Sequence, residues 1–188
     1  MQSVFLIFII VVLYRETYLF FAPLQDWSTS KKYAIAAIDL APPFEDKNMS
    51  ALKKCIETSH VKYVGYVNRN ITAYVTPFRP WSYRDIYVTV LADSLNEVER
   101  ASTLIHECTH LVWCTLDLAY YGDDAYWSLS DEDHAKNADS FVEWFYPYVM
   151  QAAQRERRVW QVRTSPEAPT MQNTIPVQDS PLLRRTIV

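Results

Sequence analysis

Two spacings of apolar residues divide this chain. Between Lys47 and His60, Met49, Leu52, Cys55 and Ile56 recur at helical intervals, which predicts an amphipathic helix. The stretches "ITAYVTPF" (71–78) and "DIYVTVLA" (85–92) are instead rich in β-branched and aromatic residues and predict strands. Pro80 in the intervening "RPWSYR" supplies a reversal, so the two strands are expected to pair antiparallel. Leu95, Val98, Leu104, Ile105, Cys108, Leu111 and Val112 then form one stripe, which predicts a largely buried helix. Ser94 followed by Glu97 matches a capping box at its start. From Asp131 to about Gln161 the pattern is helical again, with Pro147 expected to kink or divide it. Tyr33–Leu40 suits a short strand or the start of a helix, preceded by a polar linker over Gln25–Lys32.

The two ends read differently. Val4 to Leu13 is an unbroken apolar run, the length of a signal-peptide hydrophobic region and too short to span a bilayer. Extending it to Leu24 would place Arg15 and Glu16 in the membrane, so residues 1–24 are expected to be a secretory signal or, alternatively, an uncleaved anchor. The stretch 164–188 holds prolines and little periodicity and is expected to be a disordered tail. Residues 31–163 are left as one folded domain.

Composition narrows the functions. The 188 residues are 49% apolar and 14% aromatic, enough for one domain with a sizeable core. A net charge of −4 argues against nucleic-acid binding, which calls for a basic face. The triplets Asn48-Met49-Ser50 and Asn70-Ile71-Thr72 are glycosylation acceptors and agree with secretion. Three cysteines allow at most one internal disulfide, and two glycines leave sharp turns to other residues.

The buried stripe also carries chemistry. His106-Glu107-Cys108-Thr109-His110 places two histidines four apart, on one face of a helix and one turn from each other. Both can direct a ring nitrogen at one zinc ion, with Glu107 beside the metal as general base. A catalytic zinc needs a third protein ligand. Asp117, Glu132, His134 and Glu143 all lie downstream, and spacing alone does not choose among them.

"ASTLIHECTH", then "CTLDLAYYG", then "NADSFVEWF" resembles the deuterolysin or aspzincin family of metalloendopeptidases, nearest its peptidyl-lysine-specific members. The resemblance covers roughly Ile71 to Phe145. It implies that His106, His110 and Asp117 bind zinc, that Glu107 is the base, and that Tyr120 or Tyr121 steadies the oxyanion. It also implies an acidic pocket for a substrate lysine at Asp139. The family's second acid falls on Val142 here, with Glu143 one residue further on. The family's glycine is Cys114, although the chain must leave the helix there: continued straight, the helix would carry Asp117 about 10 Å along its axis from His110.

The expected fold is therefore α+β, a zincin-like domain with a small antiparallel sheet packed on the active-site helix. The expected function is zinc-dependent hydrolysis of protein or peptide substrates, with a preference for Lys after the cut, by a secreted monomer. Two rivals stand beside it: a gluzincin-like protease with Glu132 or Glu143 as third ligand, and a non-catalytic secreted interaction or effector protein of zincin shape.

Overall fold

A computed structural model describes residues 26–64, 71–76 and 84–164. The expected leader over 1–24, the acceptor Asn70 and the tail beyond Thr164 lie outside these residues. Among the described residues the chain is α+β, with six α-helices and a three-stranded sheet. The helices are α1 (Ser28–Leu40), α2 (Met49–Thr58), α3 (Glu97–Trp113), α4 (Asp124–Trp127), α5 (Asp131–His134) and α6 (Ala138–Thr164). The strands are β1 (His60–Tyr63), β2 (Ala73–Val75) and β3 (Asp85–Val88).

Helix α3 sits at the centre, packed against α1, α2 and α6. Small side chains let the helices approach closely: Ala34 and Ala37 on α1, Ala101 on α3, and Ala152 and Ala153 on α6 are all buried. Leu104, Ile105, Phe145, Val149, Leu52 and Ile56 fill the space between them. Cys108 packs as a small apolar residue within this core. Around Phe44, the rings of Trp113, Phe141 and Trp144 close the helical end of the core. No described helix is long and apolar enough to cross a membrane.

The sheet corrects one expectation. β2 and β3 pair antiparallel as predicted, but β3 is the central strand and pairs with β1 in parallel, His60 opposite Asp85. The sheet is mixed. β1 is only four residues long, with alternating exposure, and its partner is remote in sequence; a local pattern carries little of that.

Several boundaries also move. The capping box is Asn96 with Glu99, not Ser94 with Glu97. Asn96 Oδ1 accepts from the N–H of Val98 and Glu99, while Glu99 Oε2 accepts from the Asn96 N–H at 2.8 Å. Ser94 is used up in the preceding 3-10 turn, Val90–Ser94, where its hydroxyl donates to the Leu91 carbonyl. The expected linker after Gln25 is already structured: Trp27 is buried and α1 opens at Ser28. Pro147 lies exposed inside α6 without ending it. The break falls earlier, between His134 and Ala138, where the loop before α6 is bonded to the chain after α3. The acidic stretch 123–134 holds α4 and α5, with Tyr126 buried between them and α6.

Candidate metal centre

Local geometry at the end of α3 decides where Asp117 goes. The helix stops at Trp113, and Cys114 takes the left-handed conformation at φ 55° and ψ 37°. That region is favoured by glycine and costs an L-residue with a Cβ about 1–2 kcal/mol. The turn reverses the chain, so residues 115–119 run back along the helix. Thr115 is buried and its hydroxyl meets that of Thr109 at 2.8 Å. Leu116 bridges to Asn137, donating to the Lys136 carbonyl and accepting from the Ala138 N–H.

Asn137 anchors this loop. It is fully buried, and its Oδ1 accepts from the N–H groups of Leu118 and Ala119. Its Nδ2 donates to the Ala119 carbonyl at 2.9 Å and to the Ser140 hydroxyl at 3.2 Å. One amide thus satisfies three backbone groups of the loop, the N–H of Leu118 and both the N–H and the carbonyl of Ala119.

Held this way, Asp117 meets both histidines. Its Oδ1 lies 2.9 Å from His106 Nε2 and 3.2 Å from His110 Nε2. The other ring nitrogens are committed elsewhere. His110 Nδ1 donates to the Thr115 carbonyl at 2.9 Å, and His106 Nδ1 to Asp139 Oδ1 at 3.0 Å. Both Nε2 atoms are therefore aimed at one point, and partners on Nδ1 are the usual way a protein orients its metal-ligating histidines. Nε2, Nε2 and a carboxylate oxygen lie within 4.8 Å of one another and suit a tetrahedral divalent ion with one position left open. They are the one such group among the described residues.

The other candidate ligands are elsewhere. Glu132 is exposed and paired with Lys136. His134 bonds the Ser140 hydroxyl and packs on Tyr126. Glu143 accepts from the Tyr126 hydroxyl at 2.5 Å.

Glu107 occupies the same cleft but belongs to no ion pair. It is 4% exposed, and its Oε2 is buried without a hydrogen-bond partner. Burial pushes its pKa up to about 7, against the pull of His106 and His110. Burial lowers His106 as well, but the bonds to Asp117 and Asp139 outweigh it and push it up to about 10. His110 rises for a similar reason, with Asp117 and the Thr115 carbonyl overcoming burial. The two histidines hold the Asp117 carboxyl well below the usual carboxylate range.

The two tyrosines separate. Tyr120 lines the cleft, its ring stacked over His106 with centroids 6.3 Å apart. Tyr121 turns away onto Tyr126 and Trp127, and its N–H donates to Asp139 Oδ2. Asp139 is therefore shared between holding His106 and holding this loop, while Val142 lines the cleft and Glu143 does not.

The cleft, about 720 Å³, runs between His106, His110 and Asp117 on one side and β2 on the other, where Ile71, Thr72, Ala73, Tyr74 and Val75 line it. Asn137, Thr115 and Thr109 position this site through hydrogen bonds that the sequence did not reveal. No protein-family model matches this chain, and no curated protein matches it either.

Proposed function

We propose that this chain is a zinc-dependent endopeptidase of the aspzincin type, built on a zincin-like domain. One observation carries the proposal: two oriented histidines converge on Asp117, while buried Glu107, with one carboxylate oxygen lacking a hydrogen-bond partner, shares their cleft. A structural metal site would have no use for that glutamate. His106, His110 and Asp117 would hold the zinc, which supplies Lewis acidity toward a carbonyl and toward water.

The chain's own groups account for the rest. Glu107, with a pKa near neutrality, accepts a proton from a water molecule in the cleft and returns it to the leaving amine. Tyr120, placed at the cleft mouth above His106, donates its hydroxyl to the carbonyl oxygen as charge develops there. Strand β2 pairs with β3 on one side, and its residues line the cleft. An extended peptide can add to it as a further strand and be carried past Glu107. The apolar run Val4–Leu13 and the acceptor triplets support reading it as a secreted protein.

The test is cleavage of a mixed peptide pool by zinc-loaded full-length protein, mapped by mass spectrometry. Cuts that vanish with Glu107→Ala support the proposal. A folded, zinc-bound protein that makes no cuts overturns it and favours the non-catalytic interaction protein. Zinc retained by Asp117→Ala would instead favour a glutamate third ligand.

A further inference from the structure

Away from His106, His110 and Asp117 one stretch of the cleft wall is apolar. Ile71, Val75, Leu111, Leu116 and Val142 form this apolar stretch, with Thr72, Ser102, Thr103 and Asp139 elsewhere in the lining, and Leu116 and Tyr120 are 53% and 54% exposed at the mouth. The acids nearby are already engaged. Asp117 is shared by the two histidines, and Asp139 presents Oδ1 to His106 and Oδ2 to the Tyr121 N–H. Glu107 lies beneath as the base. Glu143 is one residue past Val142, about 100° further round the helix. Its carboxylate is held behind the wall by the hydroxyl of Tyr126, itself 1% exposed.

A lysine side chain laid on this wall would bring its ammonium against Val142 and Leu111, with Asp139 already bonded at both oxygens and Glu107 reserved as the base. Cations taken from water without a partner are strongly disfavoured. A branched aliphatic side chain loses nothing there and gains from burial. We propose that the substrate residue against this wall is aliphatic, of leucine or isoleucine size, so that the cleft selects apolar rather than lysyl peptides. Val142 and Leu116 are the residues that set this preference. The cutting preference rests on the endopeptidase proposal above; the binding preference does not.

The experiment uses two peptides identical except for Leu or Lys at a single central position. Zinc-loaded full-length protein is given both in competition, and zinc-loaded Glu107→Gln is titrated with each by calorimetry. The proposal expects the Leu peptide to be cut before that residue, and bound, about 10-fold better or more. Equal or preferred cutting before Lys overturns it while leaving the endopeptidase intact. If neither peptide is cut, the endopeptidase fails and binding decides: tighter Leu binding sustains the apolar cleft, and equal or absent binding overturns it. Val142→Glu, checked for folding by circular dichroism, should move the preference toward Lys by about 10-fold, because it restores an acid on the cleft face of α6.

Discussion

Asp139 holds His106 from behind: its Oδ1 accepts from His106 Nδ1 at 3.0 Å, across 33 residues of sequence. The opposite ring nitrogen faces Asp117, so one carboxylate orients the ring from behind and another meets its outward nitrogen. Asp139→Asn should therefore weaken zinc binding about 10–100-fold, the usual penalty for losing such a partner. Competition against a chelating dye measures this. An Asp139 that served only a substrate pocket would leave zinc affinity unchanged.

Proton linkage gives a second prediction. In the metal-free chain His106 sits near 10, above its ordinary value, and Glu107 near 7, also above its ordinary value. Both groups hold protons more tightly folded than unfolded. Their stability contributions are complete at low pH and are lost as pH rises, for Glu107 through about 7 and for His106 through about 10. Zinc must displace the His106 proton, so its apparent affinity should rise roughly tenfold per pH unit across the neutral range. Thermal melts at several pH values, with and without zinc, should show stability falling with pH when metal-free and the stabilisation by zinc growing.

Cys114 stores strain at the helix exit. Cys114→Gly keeps the left-handed turn and removes the Cβ conflict, with some of the gain offset by a more flexible unfolded chain. We expect a net stabilisation of about 0.5–1 kcal/mol. Cys114→Val should lose more than that, because a β-branched residue tolerates this region least. Urea midpoints of the two variants decide the matter; a destabilised glycine variant would contradict it.

Asn137 predicts a coupled loss. Asn137→Ala leaves the N–H groups of Leu118 and Ala119 without their buried acceptor, at a cost of about 2–4 kcal/mol. Zinc affinity should fall as well, since the same loop carries Asp117. Ordinary stability loss with unchanged zinc affinity would show that Asp117 is placed without this anchor.

The spacing that makes α3 a buried helix, and that sets His106 and His110 on one face, follows from a 3.6-residue period and was legible in the chain alone. So were α2 and the antiparallel pairing of β2 with β3. The placement of Asp117 was not. Asp117 reaches the histidines because Cys114 adopts a conformation that its residue type disfavours, and because Asn137, twenty residues on, holds the returning loop. The shift of the capping box from Ser94 to Asn96 has the same origin, as a 3-10 turn claimed the nearer serine first. The parallel neighbour β1, the separation of Tyr120 from Tyr121, and the turning of Glu143 onto Tyr126 likewise depend on partners remote in sequence. Periodicity is a local property of the chain and survives any packing; a hydrogen bond between distant residues exists only once the helices and loops have met.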